Sequence, residues 1–141
     1  MKLPDTNVLL YSVNADAPQH AVARAWMVSA LGAPEGMGLA WVALLGFVRI
    51  ATRPGIFTSP LRADQAMKVV AHWLGRSRVR VLHPGEHHAT ILGDLLAAVG
   101  NGGNLTTDAH LAALCVEHGA TLSSFDRDFL RFDGLAFQHL K

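Results

Sequence analysis

The amino-acid sequence predicts an α/β protein, a three-layer α/β/α sandwich with a central parallel sheet of four to five strands. Half of the 141 residues are hydrophobic, which is enough for a sizeable core without disulfides or a structural metal. Short strand-like runs alternate with longer segments of helical periodicity, and strands separated by helices favour a parallel sheet covered on both faces. The length fits one domain, so residues 1–141 are predicted to form a single domain.

The predicted elements follow from hydrophobic periodicity. The strands are short apolar or β-branched runs, at residues 1–4, 79–82, 121–125 and 135–137. The helices are longer apolar segments, most with helical spacing, at residues 8–12, 20–31, 39–51, 62–74, 87–99 and 107–118, with a short helical turn at 127–132. Glycine-rich loops are predicted at residues 32–38 and 100–103.

Chain-breaking residues support the ends of two of these helices. The helix over residues 39–51 is apolar on most faces and is therefore expected to be buried. Pro54 ends it, because a proline disfavours helical backbone in the residue before it. Gly119 follows the helix over residues 107–118, at a position where a glycine commonly stops a helix.

Charge and cysteine content exclude several classes of protein. Twelve Lys and Arg against eleven Asp and Glu give a net charge of +1, too little for nucleic-acid binding through bulk charge alone. The single cysteine, Cys115, excludes an internal disulfide framework and any multi-cysteine zinc site. No apolar run reaches the roughly 18 residues that span a bilayer, and the N-terminus lacks a secretory pattern. We therefore expect a soluble, cytoplasmic protein.

Four acidic residues stand at special positions in this arrangement. Asp5 follows the first predicted strand, Asp108 opens the helix after the glycine-rich loop, and Asp126 and Asp128 follow the third strand. Each one alone could be only a helix cap. Together they are expected to converge, because the crevice outside the carboxyl ends of the strands is the usual ligand site of an open α/β sheet.

Clustered carboxylates repel one another and are tolerated when a divalent cation neutralises them. Oxygen ligands without cysteine or a histidine pair select a hard ion, Mg²⁺ or Mn²⁺, which favours phosphate oxygens as further partners. Such a site can activate water for an in-line attack on a phosphodiester. Asn7 and Ser124, each two residues from an acid, are either turn residues or side chains that orient a carboxylate.

The chain also resembles a known family, in four blocks that occur in order: LPDTNVLLYSVNADAPQH, AWVALLGFVRIATRP, GNLTTDAHLAALCVEHGATL and SSFDRDFLRF. These blocks are similar to the signature segments of PIN-domain proteins, and in particular of the VapC toxins of bacterial VapBC toxin–antitoxin pairs. The likeness runs from Met1 to about Phe137. It implies a PIN-like fold over the single domain.

The resemblance implies an endoribonuclease toxin that depends on Mg²⁺, or on Mn²⁺ in its place, and that cleaves structured RNA (tRNA or rRNA) to stop translation. It also implies a cognate VapB-like antitoxin, a homodimer, no membrane association, and contact with DNA only through the antitoxin. Asp5, Asp108 and Asp126 match the family acids that bind metal. Asp128 is an accessory acid, and Asn7 matches the small polar residue after the first acid.

One position departs from the family pattern. Many members carry a glutamate in the long buried helix, in a block resembling LLEF, and here the block reads LLGF with Gly46 in that place. One expected ligand is therefore absent, which leaves open a one-metal mechanism or reduced activity. The alternative function is a catalytically weakened domain that binds RNA or protein without cutting. Arg49 and Arg53, near the end of this helix, are either RNA phosphate contacts or solvated helix-end charges.

A third hypothesis is a phosphate-accepting receiver or a phosphatase-like α/β domain, since both are also built around aspartates at strand ends. A receiver needs a lysine at a late strand end, and the sequence has none there. A hydrolase with an aspartyl nucleophile usually has Asp-x-Asp after its first strand, and here the third residue is Asn7.

Overall fold

The computed structural model describes residues 1–100 and 102–141, in which an all-parallel sheet lies between two layers of helices. The strands are β1 (Lys2–Pro4), β2 (Met37–Leu39), β3 (Val79–Val81), β4 (Thr121–Ser124) and β5 (Phe137–His139). The helices are α1 (Thr6–Val13), α2 (His20–Leu31), α3 (Trp41–Ala51), α4 (Ala63–Leu74), α5 (His88–Val99) and α6 (Thr106–His118). Two 3₁₀ turns cover Gly103–Leu105 and Arg127–Arg131. The predicted α/β sandwich is confirmed.

The order of the strands places the first one at the centre. The sheet runs β3-β2-β1-β4-β5, and β1 pairs in parallel with both β2 and β4. In the pairing with β4, Lys2 lies opposite Thr121 and Pro4 opposite Ser123. Because the two strands end at the same edge, Asp5, which follows β1, is brought next to Ser124, the last residue of β4.

The helices cover the two faces of the sheet with separate apolar cores. One core joins α1, α2, α3 and α4 and contains the fully buried Leu9, Leu44 and Phe47. The other joins α5 and α6 to the 127–131 turn and contains Leu122 and Phe129. The strands contribute to both cores because successive side chains point to opposite faces.

The prediction for the second strand was wrong. Residues 32–38 were expected to form a loop leading into a helix over residues 39–51, but Met37–Leu39 is strand β2 and the helix begins at Trp41. All three strand residues are buried, so the segment has no polar and apolar alternation that would mark it as a strand. Gly38 adds to the loop-like composition. A Cβ at this position would lie 2.9 Å from Leu82 Cδ1, so the glycine permits close packing.

Most other elements lie within one residue of their predicted bounds, and two differ by two residues. The first helix starts at Thr6 rather than at residue 8, because Asp5 is its N-cap and accepts a hydrogen bond from the Thr6 amide. The last strand covers Phe137–His139 rather than residues 135–137. The predicted loop at residues 100–103 includes Asn101, which lies outside the described residues. In the part of the chain that is described, no helix has the length and apolar character needed to span a bilayer.

Candidate active site

Asp5 lies at the junction of β1 and α1 with both carboxylate oxygens hydrogen-bonded. Oδ1 accepts from the Thr6 amide at 2.7 Å, and Oδ2 accepts from the Ser124 hydroxyl at 2.7 Å. The backbone amide of Asp5 donates to the Ser123 carbonyl at 2.9 Å, so the residue extends the pairing between β1 and β4. Burial raises the pKa of this carboxyl. The two hydrogen bonds oppose the rise, and the charge of Asp126 adds to it.

Ser124 connects the residues that surround this carboxylate. It ends β4, is fully buried, and donates its hydroxyl to Asp5 while accepting from Asn7 Nδ2 at 3.1 Å and from the Asp126 amide at 3.0 Å. Asn7 Oδ1 in turn accepts from the Phe125 amide at 3.2 Å. Asn7 therefore holds Ser124 and the chain after β4 in place, and it affects Asp5 through Ser124.

Asp126 and Asp128 lie in the turn that follows β4. Asp126 caps the 3₁₀ turn Arg127–Arg131, and its Oδ1 accepts from the Asp128 amide at 2.9 Å. Asp128 is exposed and lies 3.8 Å from Arg131 Nε, an ion pair in which both side chains are more than half exposed. Such a pair contributes little to stability, so Asp128 remains available to the site.

Asp108 comes from a third element, the first turn of α6. Burial, followed by the charges of Asp5, Asp126 and Asp128 in that order, raises the pKa of its carboxyl to about 6. The rise occurs although the helix N-terminus favours a carboxylate there. Four acids from distant parts of the sequence therefore lie near enough to repel one another.

The residues fit a hard divalent cation in type and in charge. The cluster offers only carboxylate oxygens, which Mg²⁺ and Mn²⁺ prefer, and a cation would relieve the repulsion that raises the pKa of Asp108. Within residues 1–100 and 102–141, no three Asp, Glu, His or Cys side chains are already arranged as a ligand set for an ion. The carboxylates would have to turn towards a shared ion on binding.

Gly46 lies on α3 against the start of α1, in the place where the family pattern has a glutamate. It is buried, and a Cβ added there would lie 2.7 Å from Thr6 Oγ1 and 3.1 Å from Thr6 Cγ2. Thr6 is β-branched, with a stiff side chain, and its hydroxyl donates to the Ala43 carbonyl at 3.2 Å. A glutamate at this position would require the Thr6 side chain or one of the two helices to shift, so the glycine accommodates the threonine.

The contact between Thr6 and Gly46 could not be anticipated from the sequence, because it joins residues on two helices far apart along the chain. Ser124 was singled out as a possible orienting residue beside Asp126, and the structure shows that its hydroxyl also contacts Asp5. This second contact follows from the strand order, which places β1 beside β4.

Comparison with known proteins shows the family to which the chain belongs. The PIN domain family model matches residues 2–135. The chain belongs to the PIN-domain family. It is 47% identical to Ribonuclease VapC37 of Mycobacterium tuberculosis over 135 residues. The aligned region covers 96% of this chain and 94% of that relative.

Solved structures of VapBC and VapC proteins share the fold with this chain. One is VapBC2 from Rickettsia felis bound to a DNA fragment from its promoter, with a TM-score of 0.72 at 16% identity, covering 99% of this chain and 98% of that one. Another is VapC20 of Mycobacterium tuberculosis, a Sarcin-Ricin loop cleaving toxin. Its TM-score is 0.71 at 21% identity, and the match covers 96% of this chain and 99% of that one.

The first prediction concerns the Gly46 contact. Gly46→Ala should destabilise the protein by about 1–3 kcal/mol, because the added methyl group overpacks a tight helix crossing. Adding Thr6→Ala to Gly46→Ala should recover most of that loss, since it removes Oγ1 and Cγ2. Urea unfolding of the two single variants and the double variant measures this coupling. Strictly additive losses would show that the two residues do not compete for space.

The second prediction concerns pH. The pKa of Asp108 in the folded state is about 6 against an ordinary 3.8. Stability is therefore lost as the pH rises from about 3.8 to about 6, and the ionised carboxylate destabilises the fold fully above that window. In metal-free buffer at pH 7.5, Asp108→Asn should raise Tm by a few degrees, after allowance for partial exposure. The gain should be smaller at pH 5 and should vanish only below about pH 3.8, the ordinary value.

The matched control for this pH prediction is Asp94→Asn, which changes an exposed carboxylate on α5. At pH 7.5 and at pH 5, the Tm of this variant should be nearly the same as that of the wild type. A Tm gain for Asp108→Asn that is equal at pH 7.5 and pH 5 would show that the carboxyl charge is not its source.

Proposed function

We propose that this chain is a metal-dependent endoribonuclease, the toxin of a toxin–antitoxin pair. The observation that carries the proposal is the convergence of Asp5, Asp108 and Asp126 at the carboxyl edge of the sheet, with Asp128 beside them. The identity with Ribonuclease VapC37 supports the reaction class. The whole chain, residues 1–141, would act as one nuclease domain.

Each residue has a proposed role in the reaction. Asp5, Asp108 and Asp126 would hold Mg²⁺, or Mn²⁺ in its place, with Asp128 as an accessory acid. The ion supplies charge neutralisation at phosphate oxygens and activation of the attacking water when it is bound. Ser124 fixes the orientation of the Asp5 carboxylate through a 2.7 Å hydrogen bond, and Asn7 holds Ser124.

The proposed substrate is structured RNA, either tRNA or rRNA, whose cleavage would inhibit translation in the cytoplasm. The proposed partners are a VapB-like antitoxin that blocks the site and a second copy of the chain in a homodimer. Contact with promoter DNA would pass through the antitoxin. The similarity to VapBC2, which was solved with promoter DNA, supports this pairing.

A second candidate function follows from Gly46. The tight contact with Thr6 removes the space for a fourth family ligand, so the domain could bind RNA or a protein partner with weak or no cleavage. RNA that is bound but left intact in the presence of Mn²⁺ would favour this candidate. Cleavage that a chelator stops would favour the nuclease.

The third prediction tests the nuclease directly. Asp5→Asn should lower the rate of RNA cleavage in Mn²⁺ by at least about a hundredfold, because one ligand charge is lost at the reacting centre. Its Tm should stay unchanged or rise, since burial already disfavours the ionised carboxyl. Gel analysis of total RNA measures the first effect, and calorimetry the second.

The control is Asp94→Asn, which removes an exposed carboxylate away from the site and should cleave at the wild-type rate. A chelator should stop the wild-type enzyme, and added Mn²⁺ should restore it. Unaltered cleavage by Asp5→Asn would defeat the assignment of the metal site.

A further inference from the structure

A pocket of about 250 Å³ opens next to the acid cluster, between α3 and the starts of α1 and α6. Its walls are Thr6, Val42, Leu45, Gly46, Arg49 and Thr107. Thr6 directly follows Asp5, and Thr107 directly precedes Asp108, so the pocket borders the two acids proposed as metal ligands. It is slightly smaller than typical pockets for drug-sized ligands, a size that suits one nucleotide unit or less.

The charge in this pocket is opposite to that of the acids. Arg49 is the single charged residue of the lining, is exposed, and belongs to none of the ion pairs found among the described residues. The Thr107 side chain is likewise exposed, and its hydroxyl adds a second donor. A guanidinium that lacks an internal carboxylate partner is suited to bind a phosphate, with which it can form two parallel hydrogen bonds.

Gly46 keeps this pocket open and its arginine unpaired. A glutamate at position 46 would lie three residues before Arg49 on the same helix, a spacing at which opposite charges pair. It would also enter the space that Thr6 borders, since even a Cβ would lie 2.7 Å from Thr6 Oγ1. Glycine at this position therefore leaves the pocket open and leaves Arg49 without an acidic neighbour at that spacing.

We propose that this pocket is a substrate subsite that binds an RNA phosphate next to the scissile one, with Arg49 as its binding residue. The inference rests on the proposed ribonuclease function, because a phosphodiester at the carboxylates brings its neighbouring phosphates to the pocket. Arg53, also considered as a phosphate contact, does not line the pocket. Val42 and Leu45 provide an apolar wall against which a ribose can rest.

The fourth prediction is the test of this subsite. In an Asp5→Asn background, which is expected not to cut, Arg49→Gln should weaken binding of a labelled RNA hairpin about tenfold in Mg²⁺ buffer. It should also reduce the salt dependence of log K by about one unit of slope. Arg49→Lys should retain part of the affinity. Fluorescence anisotropy over a series of salt concentrations measures each effect.

The matched control is Arg24→Gln, which removes an exposed arginine from the middle of α2, outside this pocket. It should bind the hairpin like the Asp5→Asn parent. Without the Asp5 change, Arg49→Gln should lower kcat/KM for RNA cleavage while Tm stays constant, because the side chain is exposed.

The outcomes separate this inference from the function on which it rests. Equal hairpin binding by the Arg49 variant and its parent, or no binding by either, overturns the subsite even if the wild type cleaves RNA. If the wild type cleaves no RNA but Arg49→Gln still weakens binding tenfold, the nuclease proposal fails and the subsite stands as an RNA-binding site. A third outcome is that the Arg49 variant loses binding to an acidic peptide while its RNA binding is unchanged. That result assigns the pocket to a protein partner and also overturns the RNA subsite.

Discussion

Repulsion among carboxylates at one edge of the sheet is the constraint on which the rest of the site depends. The parallel pairing of β1 with β4 brings Asp5 beside the turn that carries Asp126 and Asp128, and α6 adds Asp108. A fold selected only for stability would not keep a half-buried acid whose pKa rises to about 6 beside three others. A bound divalent cation would account for this arrangement, because its ligands are negatively charged carboxylates.

The scaffold around the acids is held by groups that carry no charge. The buried hydroxyl of Ser124 joins Asp5, Asn7 and the backbone of Asp126, so three parts of the site are held in a common arrangement. At the start of α1, Thr6 packs closely against Gly46 of α3. The Ser124 contacts hold the acids in position, and Thr6 and Gly46 form part of the wall of the pocket beside Arg49.

The sequence predicted the class of fold and the positions of the acids because both follow from local patterns. Asp5 and Asp126 each come directly after strand-like runs, and strands in parallel end at one edge. Strand β2 was missed because its three buried residues show no alternation and include Gly38. The contacts of Ser124 with Asp5 and of Thr6 with Gly46 depend on how distant elements pack, and no local pattern carries that information.

A crystal structure of the protein soaked in Mn²⁺, with anomalous scattering to locate the ion, would show whether the four acids hold a divalent cation. We expect a peak within coordination distance, roughly 2.0–2.3 Å, of carboxylate oxygens from Asp5 and Asp108, with Asp126 bound directly or through water. Those side chains would have to rotate from their present positions to reach it. A Mn²⁺ peak elsewhere, or none between these carboxylates at saturating metal, would contradict the proposed metal site.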